Sequence, residues 1–164
     1  DVEGFNDDLK IRKLEGALVA ENFQGRMWVN ELDGSLNLKS SRGKNNLEGL
    51  KGNINFASKS AEMHFSQLGG TINGRADGGL ISLALKGKTD AKIMCKSAKT
   101  TVAIAKGLGV RIDIGSDEGN LVSGIPLKSE RLEKIKLMRG QTSGSPGGSV
   151  FIRSEDGEIR VRSL

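Results

Sequence analysis

The chain has one cysteine, two prolines, one histidine, one tryptophan and no tyrosine among its 164 residues. Each scarcity removes a class of protein. The single Cys95 excludes an internal disulfide, so a core must hold the chain together. One Cys and one His exclude the usual tetrahedral zinc sets. No apolar run approaches the roughly 20 residues a membrane-spanning helix needs. With aromatic residues at 4%, a core of large rings is not on offer and small aliphatic layers must serve. Proline is nearly missing while glycine numbers 23, whereas linker-like or disordered chains usually raise both together. Repetition, not disorder, follows. The length suits one domain, residues 1–164.

The glycines recur. Residues 16–60 divide into GALVAENFQ, GRMWVNELD, GSLNLKSSR, GKNNLEGLK and GNINFASKS, nine residues each. The series runs on through Ala61 to Gly70 and Gly79, and back to a line opening at Asp7. Two and four positions after each opener stand apolar residues such as Leu18 and Ala20, Met27 and Val29, or Leu36 and Leu38. Two inward sites one residue apart are the strand period. A second period overlies the first, because Leu14, Leu32, Leu50 and Leu68 recur every eighteen residues in Leu-x-Gly. Two lines therefore form one coil of a β-solenoid, with the leucines stacked as a ladder and glycines turning the chain at its corners. An antiparallel meander would need turns of alternating type and no such ladder. The turn at Ala61 is expected to be adjusted, and Asn45 to mark a local slip in which Leu47 takes the core site.

The regular coils span about 7–87. LISLAL, AKIMC, TVAIA and VRIDI then alternate at intervals of ten or eleven residues, which gives wider coils over about 88–139. Within LKSERLEKIKLMR (127–139), Leu132, Ile135 and Leu137 favour a strand over a helix. A glycine-rich loop, GQTSGSPGG (140–148), leads into two last lines around Asp156-Gly157, and the terminal segment 140–164 is expected to close one end.

The Leu-x-Gly ladder, GGLISLAL and the terminal GQTSGSPGGSVFIRSEDGEIRV together resemble the bacterial "putative adhesin" domain family, of unknown function, over nearly the whole chain. The resemblance implies a single-stranded right-handed β-helix, exported or attached to the cell envelope of a bacterium, with no catalytic motif and no cofactor. Where such domains often carry Ser-Gly-Asp turns, this chain has Leu-Asp-Gly, Ala-Asp-Gly and Glu-Asp-Gly. Bactofilins, which are filament-forming β-helices, are the runner-up, but two sides fit these coils better than three.

Nothing in the sequence assembles an enzyme. His64 is the only base a Ser-His-Asp triad could use, and no Gly-x-Ser-x-Gly elbow accompanies it. DGSLNL and KGNINF lack the aspartates of a calcium-binding β-roll. No catalytic, cofactor or metal residues are therefore assigned. Twenty-five basic against twenty acidic residues give +5, but they are scattered without stacking aromatics, so no specific nucleic acid is expected.

What remains is surface. The third position of alternate lines faces outward and reads Lys10, Trp28, Asn46, His64 and Ser82 on one side. Val19, Asn37, Asn55 and Asn73 stand on the other. Trp28 with Lys10, Arg26, Lys44 and His64 is the candidate binding surface, suited to cation-π contact or sugar stacking. The expected partner is a protein or an envelope polymer. The alternative is a structural unit that self-associates through uncovered solenoid ends.

Overall fold

In a computed structural model, which describes residues 2–5 and 8–164, the chain is an all-β solenoid. Asp7, where the earliest line opens, lies outside the described residues. The strands are β1 (Val2–Phe5), β2 (Asp8–Phe23), β3 (Arg26–Ser41), β4 (Lys44–Lys59), β5 (Glu62–Ser66), β6 (Gly69–Asp77), β7 (Leu80–Leu85) and β8 (Thr89–Cys95). They continue as β9 (Lys99–Ile104), β10 (Leu108–Ser116), β11 (Leu121–Ser123), β12 (Lys128–Leu132), β13 (Ile135–Gln141), β14 (Ser145–Ser154) and β15 (Ile159–Ser163).

Each of β2, β3 and β4 wraps both sides of one coil, and their registers are offset by eighteen residues throughout. Alternation of buried and exposed residues along each strand puts every second side chain into one continuous core. Leu14, Leu32 and Leu50 are register partners, with Leu32, Leu50 and Leu68 buried. Leu14, Leu9 and Ile11, in the first described coil, are only half-buried. Column volumes compensate. Gly74 stands in an inward site because the Phe56 ring, 5.2 Å from that of Phe65, fills its space.

The corners correct one expectation. Gly16, Gly34, Gly52 and Gly70 do adopt positive φ, from 107° to 142°. A Cβ at Gly34, Gly52 or Gly70 would run into the carbonyl oxygen of the glycine one coil earlier. Lys13, Glu31, Gly49 and Gln67 before them are left-handed as well; at the opposite corner Gln24, Arg42, Ser60 and Gly78 take φ between 52° and 72°, and of the openers there Gly79 is also positive, at 83°. Before Ala61 the left-handed residue is Ser60, as Arg42 is before Gly43, so Ala61 needs no adjusted turn and is simply buried. Nor does Asn45 mark a slip. It pairs with Met27 and Met63 in register, fully buried, while Leu47 keeps its own site. Asn45 accepts a 2.8 Å hydrogen bond from Asn22 Nδ2 and donates to Ser40 Oγ at 2.7 Å, which satisfies it inside the core.

The order of the last coils is the larger correction. Up to β9 each strand pairs with its equivalent one coil away. Thereafter β14 lies between β8 and β10, and β15 lies between β9 and β11, all parallel. The terminal lines do not close an end; they fill the interior of the stack. The segment 127–139 holds two strands rather than one. β12 and β13 form an antiparallel hairpin, turning at Glu133 with φ 54°, that lies against β10.

The inserted coil is matched to its slot. Val150, Ile152, Ile159 and Val161 join the core at 1% exposure or less. Ser154 Oγ accepts from the Gly157 amide at 2.9 Å, and Ser116 Oγ from the Gly119 amide at the same distance. The turns SDEG and SEDG therefore stack on one another.

Candidate binding surface

Lys10, Trp28, Asn46, His64 and Ser82 are successive register partners on one outer side of the solenoid. Alternation within the strands aims all five outward. Trp28 is half-buried. Lys10 Nζ lies 5.3 Å from its ring centroid and Arg26 Cζ 5.6 Å, so two cations stand within cation-π range of the indole. Beside it is a shallow depression of about 380 Å³ whose lining includes Lys10, Arg12, Trp28, Asn30 and Glu48.

The structure brings Lys10, Arg26 and Trp28 together. Lys44 follows Arg26 one coil on, and His64 is two coils from Trp28. The patch is less basic than its lysines and arginines suggest, because Arg26 makes two 3.0 Å hydrogen bonds to Asp8. Glu62 receives Lys44 Nζ at 3.1 Å and His64 Nε2 at 3.5 Å. The Lys44 hydrogen bond, and after it the His64 contact, hold the Glu62 carboxyl below its ordinary range. Sequence reasoning missed both carboxylates, although Asp8 to Arg26 and Lys44 to Glu62 repeat the eighteen-residue spacing that makes stacked neighbours.

A second surface escaped the sequence altogether. At the corner where the other side ends, a groove of about 820 Å³ runs along the stack, with Lys39, Ala57, Arg75, Met94 and Arg153 on successive coils. Ala57 stands in register between Lys39 and Arg75. Lys39 is tied to Glu21 at 2.8 Å, and Arg153 lies 4.1 Å over the Phe151 ring. Ser58 Oγ, of a residue that also lines the groove, is buried without a hydrogen-bond partner among the described residues. On the same side Asn37, Asn55 and Asn73 stack in register, and Asn55 Nδ2 donates to Asn37 Oδ1 at 3.2 Å.

No protein-family model and no curated protein matches this chain. Among solved structures it is similar to one described as a "putative cell adhesion protein" from Clostridium sporogenes. That likeness has 13% identity and a TM-score of 0.46, and it covers 97% of this chain and 93% of the other.

Proposed function

We propose that this chain is a non-enzymatic, adhesin-like binding module of a bacterial cell envelope, which presents flat solenoid faces to a surface polymer or a protein partner. The observation that carries this reading is the half-buried Trp28 with Lys10 and Arg26 within 5.3 Å and 5.6 Å of its ring centroid. An indole face offers a hydrophobic stacking plane for a sugar ring, and Lys10 and Arg12 beside it suit anionic substituents on such a polymer. The ion-paired state of Arg26 and Lys44 argues against a nucleic-acid partner, which would need free cations along a track.

The runner-up is a structural unit that stacks end to end into filaments. Half-buried Leu9, Ile11 and Leu14 in the first described coil favour it. The antiparallel hairpin weighs against it, because β12 presents Lys128, Glu130 and Arg131 along its edge, and charged edges resist strand addition.

The test is a binding screen against glycans and isolated envelope polymers with Trp28→Ala as the control. About a ten-fold loss of affinity in Trp28→Ala, near 1.4 kcal/mol, is expected. Binding that is undiminished by Trp28→Ala would remove this face as the working surface.

A further inference from the structure

The path of the chain leaves a slot that another molecule's chain is able to fill. After β9 the chain passes through residues 105–107 and begins β10 two strand spacings from β8, not one. β14 and β15 supply the neighbours that β8, β9, β10 and β11 would otherwise lack on one side. Without that coil, four strands would have open parallel edges beside apolar inward residues, among them Ile93, Val102, Ile112 and Ile114. Open edges of that kind pair with whatever matching strand is at hand.

The slot is selective for its coil. Gly148, with φ 93°, abuts the carbonyl of Thr89 so closely that no Cβ fits there. At the corresponding position β10 carries Val110, so β10 is a poor substitute for β14 against β8. What fits is the 145–163 segment, and every copy of the protein carries one. The tie between this segment and the rest of its chain is residues 142–144, a short link held by Thr142, whose hydroxyl accepts from the Val110 amide at 2.7 Å. A short link invites exchange when a second copy is near.

We propose that the 145–163 coil is exchanged between copies, so that two chains pair reciprocally, each filling the other's slot. All contacts within the slot are reproduced, including Arg153 to Asp113. Filling depends on concentration. The chain's own segment wins when copies are dilute, through its high effective concentration, and the neighbour's competes where copies are crowded while they fold. This inference rests on strand order, the fit of Gly148 to Thr89 and the short 142–144 link, and stands or falls independently of the Trp28 surface.

Asp90 and Ser149 are outward register partners across the slot boundary, linked by a 2.7 Å hydrogen bond. Adjacent strands are about 4.8 Å apart, within the range a disulfide spans. Two chains, Cys95→Ser/Asp90→Cys and Cys95→Ser/Ser149→Cys, are mixed, unfolded, refolded together over a range of concentrations and oxidised. The expected product is a disulfide-linked heterodimer whose yield rises with refolding concentration. A chain carrying both new cysteines should close on itself when refolded dilute and link into dimers when refolded concentrated. Exchange is overturned if the double variant closes on itself at every concentration while the mixed single variants stay unlinked. It is equally overturned if dimers form but link position 90 to 90 as readily as 90 to 149. Should these variants not refold, light scattering on the unmodified protein refolded at the same concentrations decides. A persistent monomer rejects the exchange, and a dimer that survives dilution supports it.

Discussion

Asp113 Oδ1 accepts a 2.7 Å hydrogen bond from Arg153 Nη2, joining the coil that comes last in the chain to the coil it separates from β8. The same carboxylate accepts from Arg139 Nε at 3.1 Å, and Arg139 reaches Glu130 at 3.4 Å. One aspartate on β10 thereby ties down β14 on one side and the hairpin on the other. Its side chain is 31% exposed and that of Arg153 21%, so solvent screens the pair only in part. Asp113→Ala should cost about 2 kcal/mol, the value typical of a hydrogen bond to a charged group. Asp113→Asn, which keeps one acceptor for Arg153, should cost less. Urea midpoints for the two variants check this, and equal losses would mean that the charge is what matters.

The two kinds of positive-φ glycine separate conformational strain from steric contact. Gly16 has φ 111° and, among the described residues, no atom within 4 Å of where a Cβ would sit, whereas Gly52 has φ 118° and faces the Gly34 carbonyl. Gly16→Ala should therefore cost only the backbone strain of about 1–2 kcal/mol. Gly52→Ala carries the same strain plus an overpacking cost of about 1–3 kcal/mol, unless the coil spacing opens. Chemical denaturation of both variants measures the difference, and equal losses would show that the stack yields freely along its axis.

How much of this was readable in the sequence divides along a physical line. The coil period, the Leu14-to-Leu68 ladder and the outward row from Lys10 to Ser82 were legible because each coil packs on its sequence neighbours, so local spacing encodes them. The corner at Gln24, Arg42 and Ser60 was not, since exposed polar residues tolerate the left-handed region without advertising it. The position of the 145–163 coil was not legible either. Val150, Ile152, Ile159 and Val161 serve equally well in an end coil or an inner one, and only the match of Gly148 to Thr89 distinguishes the two. On the candidate surface the cations and Trp28 stood out by residue type. Asp8 and Glu62 act through stacking with Arg26 and Lys44, which becomes visible once the register is applied to charges as well as to leucines.

Asn45 tests whether a polar residue in this core is an accident. It bonds Asn22 and Ser40, both buried, so Asn45→Leu gains apolar burial but takes the bond from Ser40 and leaves Asn22 Nδ2 only its 3.2 Å bond to the Gly25 carbonyl. An unsatisfied buried group costs about 1–3 kcal/mol and each lost hydrogen bond about 1 kcal/mol, against about 2 kcal/mol gained from the larger apolar side chain. Asn45→Leu should be net destabilising on its own. The triple variant with Asn22→Ala and Ser40→Ala should recover part of the loss. If Asn45→Leu alone proves stabilising, the hydrogen-bonded cluster contributes less than aliphatic packing would.

Glu62 gives a pH dependence of known sign. Its carboxyl is lowered from 4.5 by Lys44 and then His64, so the folded value lies below the unfolded one. The stabilising contribution is therefore fully present above the unfolded value and is lost as pH falls through the folded one. Both side chains of the Lys44 pair are 50% exposed, so solvent screening limits it to about 0–1 kcal/mol. Lys44→Ala should lower stability slightly at neutral pH, lose that effect in strong acid, and raise the Glu62 titration midpoint seen by NMR. A midpoint that does not move would dismiss the ion pair as a feature of one frozen geometry.

Cys95 reports on the inserted coil, because its register partners are Ala76 on one side and Ser154 of β14 on the other. Burial pushes its thiol up, opposed by a 3.5 Å contact with the Thr100 hydroxyl, and the thiolate is the reactive form. In the folded protein it should react slowly with a thiol reagent, at a rate set by opening of the structure around it. Gly148→Ala forces a Cβ against the Thr89 carbonyl and should loosen β14 from β8, raising the Cys95 labelling rate by about ten-fold or more, the factor that 1.4 kcal/mol of lost closure produces. Gly16→Ala, which is strained in a remote coil, should leave that rate nearly unchanged under conditions where both variants stay folded. If Gly16→Ala accelerates labelling as much as Gly148→Ala, Cys95 is exposed by global unfolding, and the 145–163 coil does not open as a unit of its own.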